Sequence, residues 1–449
     1  MGKGTELTLE QRALRRKRWA WYFYDFGNSA YAAVVLLAVY STYFQGQVVG
    51  GAEGSRLWGW SVAAAMFIVA AISPVLGAIA DYSGAKKQFL MGFTALSCIF
   101  TAALFFVQEG DVVLGILFFV LAEIGYRGGQ VFYDAILPEI ADERDIGRIS
   151  GIGWALGSGG GVLCLFIILP LIMAFEGTFM VRLSFVITAL YYAASAIPTF
   201  LLIDTKSAPR ALAPGDTYLK VGVRRITSTI RAASDYREFL KFVASFVIYN
   251  SGVMMAMNFA AILGAVLFGM GQTDLILFVI LVQITNVAGA FLFGQAVDRI
   301  GTKNAMLLSI LMMVIAVALM FLAQTMAFFF FVGALAGFAM AGIQSISRTM
   351  VGVLSPAGRN AEFYGFFAVA GTISSVAGPA IFGATAYRMA HWYQNAHGMS
   401  GLLAEQTGHR AAVLAMGLAL LLGMGVLVTV SQERAKATYT TALEASELG

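Results

Sequence analysis

Twelve apolar stretches, each about 20 residues long or more, decide what this chain can become. They run over 22–45, 57–80, 88–108, 112–137, 150–174, 180–203, 240–268, 274–297, 304–323, 326–353, 361–386 and 410–431. In hydrocarbon every backbone N–H and C=O must be satisfied inside the segment, so stretches of this length cross a bilayer as α-helices. The expected fold is an all-α membrane protein of twelve transmembrane helices with the lipid bilayer as solvent. Composition leaves little alternative. The 449 residues are 59% hydrophobic and 12% charged, whereas a soluble domain carries about 25% charged residues. The first 18 residues are basic and polar, without the apolar core of a cleavable signal peptide.

Basic residues set the orientation. Of the 29 Lys and Arg, 24 fall on the side of the two termini, four on the opposite side (Arg56, Arg182, Arg388, Arg410), and Arg127 lies inside a span. By the positive-inside rule both termini are expected in the cytoplasm, at the inner (plasma) membrane if the cell is bacterial. The implied domains are a basic N-terminus over 1–21, a six-helix bundle over 22–203, a cytoplasmic linker over 204–239, a second bundle over 240–431 and a tail over 432–449. Within the linker Leu219, Val223, Ile226 and Ile230 repeat at helical spacing with Arg224, Arg225 and Arg231 off the stripe. That pattern predicts an amphipathic helix on the membrane surface.

The two halves repeat. The second span ends in Gly77, Asp81, Gly84 and Lys86, and the eighth in Gly294, Asp298, Gly301 and Lys303, a constant offset of 217 residues. Pro138 after the fourth span and Pro356 after the tenth echo the match. Both halves start on one side, so the repeat is parallel, about an axis along the membrane normal. Gly77 and Gly294 are expected to admit a close helix neighbour. Asp81 and Asp298 sit at helix C-termini, where the helix dipole disfavours a carboxylate, so each needs a partner. We expect a latch of Asp81 to the start of the eleventh helix near Arg359, and of Asp298 to the start of the fifth near Arg148. The pattern G-x-x-x-D-x-x-G-x-K resembles the signature loop of the major facilitator superfamily, here in both halves. That resemblance implies two pseudo-symmetric six-helix bundles around a central cavity that opens to one side at a time.

Four further segments sharpen the resemblance. They are Tyr24-Asp25-Phe26-Gly27-Asn28-Ser29-Ala30-Tyr31-Ala32, Phe132-Tyr133-Asp134-Ala135-Ile136-Leu137-Pro138-Glu139, the run from Arg148 to Gly157, and Gln344-Ser345-Ile346-Ser347-Arg348. They look like the vacuole-effluxer branch, once called the superfamily's unknown family, whose yeast members are associated with amino-acid release from the vacuole. The resemblance implies an integral membrane transporter acting as a monomer.

Ionisable groups within a span are costly and face the bundle interior. Glu123, Arg127, Gln130 and Asp134 share one face of the fourth span. Asp25, Asn28 and Ser29 lie on the first. Helices 1, 4, 7 and 10 line the cavity in the superfamily, which adds Asn250 and Asn258, then Gln344 and Arg348; Gln283 and Asn286 follow on the eighth span. Arg127 is the expected ligand of a carboxylate or phosphate. Asp25, Glu123 or Asp134 would take an ammonium group or a coupling proton. The competing expectation is a structural pair, Glu123 with Arg127 or Arg127 with Asp25. Asp134 and Arg348 lie nearer the cytoplasmic end and are expected to gate.

The remaining features carry less. Gly153, Gly157 and Gly161 recur every fourth residue and predict a tight helix-packing face rather than a phosphate loop. Cys98 and Cys164 lie in apolar spans and are expected to be buried thiols. His391, His397 and His409 are assigned to a solvated outer loop between the last two spans. No cofactor, metal or nucleic-acid partner is expected, and no nucleophile–base set appears in the spans, so the chain is not expected to be an enzyme. The leading expectation is a secondary transporter of a small polar or zwitterionic metabolite such as an amino acid, proton coupling being an option. The alternatives are an exporter of amphipathic drugs or lipid-like compounds and, in another class, a non-transporting receptor or intramembrane enzyme.

Overall fold

A computed structural model describes residues 9–141, 145–175, 177–204, 217, 218, 220, 236–355 and 360–435. Most of the linker, with its amphipathic stripe, and Arg359 lie outside these residues. The described chain holds twelve helices long and apolar enough to cross a membrane. We label them α1 (Gln11–Val49), α2 (Gly51–Tyr82), α3 (Lys86–Ala103), α4 (Val112–Ile140), α5 (Ile146–Ala174), α6 (Thr178–Leu202), α7 (Arg237–Phe268), α8 (Gln272–Ile300), α9 (Thr302–Leu322), α10 (Met326–Val353), α11 (Asn360–His397) and α12 (Gly401–Val428). Each coincides with one apolar stretch of the sequence.

One boundary differs from expectation. The outer loop assigned to His391, His397 and His409 is almost wholly helical. α11 runs on to His397 and α12 starts at Gly401. Gly398 turns the chain with φ 62°, a conformation open to glycine at little cost. Trp392 and Tyr393 pack on the His397 ring at 4.7 and 5.6 Å. His391 and His397 are exposed, but His409 is fully buried inside α12. Hydropathy locates the hydrocarbon-matched core of a helix, not its extension beyond.

The chain sorts into two compact units, Met1–Leu36 with Ala71–Gly222, and Leu37–Ala70 with Val223–Gly449. In the first, α1 packs on α5 and α6, and α3 on α4 and α6. In the second, α7 packs on α11 and α12, and α9 on α10 and α12. These are the same four pairings displaced by six helices, so the repeat in the sequence is a repeat in packing. The motif glycines Gly84 (φ 67°) and Gly301 (φ 80°) both take the left-handed conformation. The motif lysines both cap helix ends, as cations do at C-termini. Lys86 Nζ donates to the Ala135 carbonyl at 3.1 Å and to Glu139 at 2.7 Å. Lys303 Nζ donates to the carbonyls of Val428 and Val430, each at 2.7 Å. The close approach expected at Gly77 and Gly294 is not realised: no described atom outside their own helix surroundings lies within 4 Å of a Cβ built at either.

Helix contacts in the first unit run through glycine. A Cβ at Gly157 would meet Asp25 Cγ at 2.8 Å and Ser29 Oγ at 2.9 Å, and at Gly153 the Trp21 ring. Gly160 abuts the Phe26 carbonyl, and Gly161 lies against Ser29 O and the Ala33 side chain. The glycine face of α5 therefore packs on α1, as its spacing predicted. On the other side Gly125 of α4 lies against Ser97 and the Phe93 carbonyl of α3. Cys164 is buried, Cys98 is partly exposed, and both are free thiols.

α1 is α-helical over Leu9–Tyr31 and widens to π-helix over Ala32–Ala38 and Phe44–Val49. From Leu37 onward it belongs to the second unit and is stitched there. Gln272 Nε2 donates to Thr42 Oγ1 at 2.8 Å, Gln45 Nε2 to Glu405 Oε1 at 2.9 Å, and Trp58 Nε1 to the Asn258 carbonyl at 3.0 Å. His409 Nδ1 faces the Glu405 carbonyl at 2.8 Å, and its Nε2 faces Ser55 Oγ at 2.7 Å. A carbonyl only accepts, so Nδ1 carries a proton; in the neutral ring Nε2 then accepts from the Ser55 hydroxyl.

Candidate functional site: the α1–α4 seam

Glu123 and Arg127 are one helical turn apart on α4, and Arg127 Nε donates to Glu123 Oε1 at 2.9 Å. The carboxylate is 1% exposed and the guanidinium side chain 32%. The structural pair and the ligand expected of Arg127 are thus compatible. Glu123 uses only Nε, and among the described residues neither Nη1 nor Nη2 donates a hydrogen bond. A guanidinium held by Nε presents its outer fork, the edge that matches a carboxylate or phosphate. Its carbon also lies 5.0 Å from the centre of the Tyr126 ring, which supports the charge further.

An aromatic ladder holds α4 against α1. Trp21 stacks on Tyr133 at 4.3 Å and Trp21 Nε1 donates to the Tyr133 carbonyl at 3.1 Å. Tyr24 stacks on Tyr133 at 5.0 Å and Tyr31 on Tyr126 at 4.7 Å. The Tyr24 hydroxyl is fixed by Thr94 and Tyr192, both at 2.8 Å. These aromatics, general packing material at the level of composition, position the seam. Their signal in the sequence was the seven-residue spacing of Tyr126 and Tyr133, opposite Trp21, Tyr24 and Tyr31.

Polar groups collect in the same seam. Asn28 is fully buried, with neither Nδ2 nor Oδ1 hydrogen-bonded. Glu123 Oε2 and the Tyr31 hydroxyl are also buried without a completed hydrogen bond, and the two side chains interact electrostatically. Native interiors pair most such groups; Tyr31 and Glu123 face each other, whereas Asn28 has a partner for neither amide atom among the described residues. Asp25 is half-buried against Gly157 and senses the charge of Asp134 across the seam. Among the described residues Asp25 has no ion-pair partner, so the expected bond from Arg127 to Asp25 is not made. Gln130 is half-buried beside Tyr126, and Asp134 is exposed.

Candidates in the second unit are mostly engaged in packing. Asn258 Nδ2 donates to the Met254 carbonyl at 2.8 Å, and Asn286 Nδ2 to the Gly337 carbonyl at 3.3 Å, which ties α8 to α10. Gln344 Nε2 reaches Met257 Sδ at 3.5 Å. Asn250 is buried. Gln283 is the one polar side chain on a void of about 80 Å³ lined by Leu37, Met257, Phe278, Met313 and Met340 among others. Of the gating candidates, Arg148 pairs with Asp145 of its own helix start at 3.1 Å. Asp298 is exposed with no ion pair among the described residues. Arg348 is exposed, and its carbonyl accepts from the Tyr364 hydroxyl at 3.0 Å. The side chain of Asp81 lies outside the described residues.

Comparison with known proteins places this geometry. A bacterial homologue of the human lysosomal transporter Spinster, solved inward-facing and unoccupied, superposes with a TM-score of 0.69 at 14% identity, covering 96% of this chain and 97% of its own. A mutant of the nucleoside transporter NupG gives 0.71 at 13% identity, with 92% and 99% covered. At such identities the likeness shows the fold, which is that of the major facilitators. In sequence the chain is 27% identical over 379 residues to the "uncharacterized MFS-type transporter YxiO" of Bacillus subtilis, covering 82% of this chain and 87% of that protein. It is 25% identical over 261 residues to autophagy-related protein 22-1 of Penicillium rubens, but spans only 44% of that protein's length. The pattern of the family described as "vacuole effluxer Atg22 like" matches residues 60–392. The chain therefore belongs to the vacuole effluxer Atg22-like family of major-facilitator membrane transporters.

Proposed function

We propose that this protein is a secondary active transporter that moves a small zwitterionic metabolite, an amino acid, across the membrane by alternating access. The observation that carries the reading is the Arg127 guanidinium, anchored through Nε by Glu123 at 2.9 Å with its outer fork unpaired among the described residues. That fork takes the carboxylate of the cargo. Asp25, without a cation of its own and near Asp134, takes the ammonium group or a coupling proton. The buried amide of Asn28 supplies a donor and an acceptor between them. Both termini are cytoplasmic in this reading, and the chain acts as a monomer.

A second reading, export of amphipathic compounds, draws on the methionine-lined void beside Gln283, since thioether side chains adapt to apolar guests of varied shape.

Liposomes holding the purified protein and assayed for amino-acid uptake decide between them. Arg127→Ala strands the buried Glu123 carboxylate and risks the fold, so Arg127→Lys is the cleaner variant. It keeps the charge beside Glu123 and removes the fork. Uptake should fall by about 10- to 100-fold at unchanged melting temperature, the worth of a charge-assisted hydrogen bond. Wild-type rates in Arg127→Lys, or uptake of amphipathic cations only, would reject the zwitterion site.

A further inference from the structure

The N-terminal turns of α1 carry a feature that the cargo site does not use. Arg12, Arg15, Arg16, Trp19 and Phe23 fall at helical spacing on one stripe. With Ala20, and with Pro198 and Leu202 of α6, they line a concave groove of about 480 Å³ within the first unit. All three arginines are exposed, and among the described residues none makes an ion pair or a hydrogen bond. Arg18, on the opposite side of the same turns, is engaged instead. Its Nε donates to the Ile140 carbonyl at 2.9 Å and its Nη1 pairs with Asp145 at 3.5 Å. Arg18 therefore holds α1 to α4 and α5, while its three neighbours face outward.

The order of chemistry along the stripe identifies the guest. From Arg15 to Phe23 the helix rises about 12 Å. Over that length the groove passes from guanidinium groups, through an indole, to the apolar Phe23; α6 runs antiparallel, Thr199 Oγ1 donating to the Ala20 carbonyl, so Leu202 lies level with Trp19 and Pro198 nearer Phe23. Trp19, Phe23 and Leu202 are 46%, 45% and 44% exposed. Tryptophan belongs at the headgroup level and a bare phenylalanine in hydrocarbon. A free anion would use only the upper end, and a soluble partner would have to enter the acyl layer. We propose that this groove docks one anionic phospholipid, its phosphate between Arg12, Arg15 and Arg16, its glycerol region beside Trp19 and Leu202 and its chains along Phe23 and Pro198. The site is independent of cargo and rests only on α1 and α6 spanning the membrane. A headgroup seated there would brace the inner end of α1 against α6, on the same helix that carries Asp25 and Asn28.

Positive charge that serves only to set topology would show no such order, and the test separates the two. The full chain, purified in a neutral detergent, is titrated with dioleoyl phosphatidylglycerol, dioleoyl phosphatidylcholine and inorganic phosphate while its melting temperature is followed. A ligand of the folded state raises that temperature with concentration. The anionic lipid should raise it, and the other two should not. In Arg12→Gln/Arg15→Gln/Arg16→Gln the half-maximal lipid concentration should rise on the order of a hundredfold, from about 1 kcal/mol per basic residue near an anionic surface. Arg434→Gln, which removes a charge near the other terminus, should leave it unchanged. Trp19→Ala, with all arginines kept, should weaken the lipid response severalfold and so covers the case in which the triple variant fails to fold. Three results overturn the proposal: an equal response to inorganic phosphate, an equal response to phosphatidylcholine, or an undiminished lipid response in the triple variant or in Trp19→Ala.

Discussion

At the scale of single residues, the informative side chains are those whose polar atoms are not spent. Arg127 is half committed, and Asn28 not at all. A buried amide with both ends unpaired costs stability, about 1–3 kcal/mol by the usual desolvation penalty. Nothing in the packing of the seam repays that cost, whereas a polar cargo would. Asn28→Leu, with the same number and branching of side-chain heavy atoms but apolar, should therefore raise the melting temperature while it lowers transport. Thermal unfolding and liposome uptake measured on one preparation check both arms, and a fall in both would assign Asn28 a structural role. Arg127 and Glu123 could be paired from their spacing alone, because residues i and i+4 share a helix face. Which guanidinium nitrogen Glu123 takes could not, since that depends on rotamers set by Tyr126 and Tyr31.

At the scale of elements, the glycine face of α5 does two jobs. Gly160 sits against the Phe26 carbonyl, a backbone atom that cannot turn aside. Gly160→Ala should force α1 and α5 apart and destabilise the protein by about 1–3 kcal/mol, the usual cost of overpacking. Gly157 faces the Asp25 carboxylate, which can rotate away. Gly157→Ala should cost less stability but reposition Asp25, so transport should fall further than melting temperature. Equal losses in the two variants, measured by thermal unfolding and uptake, would contradict this division. The four-residue glycine spacing predicted the packing face without naming its partner. That Asp25 rests on it is a fact of helix pairing, invisible along the chain.

At the scale of the molecule, the second unit takes in α1 from Leu37 onward and α2 as far as Ala70. Contacts along the packed helices group Leu37–Ala70 with the helices of the second half, although covalent order sets them in the first. Gln45 to Glu405 and Ser55 to His409 are the stitches within that unit. In the proposed cycle, with the termini cytoplasmic, loosening these bonds would free the Leu37–Ala70 segment as the outer side opens. Gln45→Ala/Ser55→Ala should shift the equilibrium toward an outward-open state by about tenfold or more, at roughly 1 kcal/mol per hydrogen bond lost. Single cysteines placed near Gly46 and probed with an impermeant maleimide should label faster in the double variant; unchanged labelling would show that the stitches do not restrain opening.

The amino-acid order alone determined the class of this protein. Twelve apolar stretches require twelve helices, because lipid offers the backbone no other way to satisfy its hydrogen bonds. The offset of 217 residues between Gly77–Lys86 and Gly294–Lys303 exposed the duplication, since both copies answer the same demands of a helix end: a left-handed glycine and a capping lysine. Tertiary structure alone decided what each polar residue faces. It spent Asn258 and Asn286 on helix packing, left Asn28 unpaired, buried His409 beside Ser55, and turned Arg18 inward while Arg12, Arg15 and Arg16 remained open. Hydropathy and spacing are local averages along one helix, whereas a side chain's partner is set by which neighbouring helix lies across from it, and that is fixed only when the helices pack.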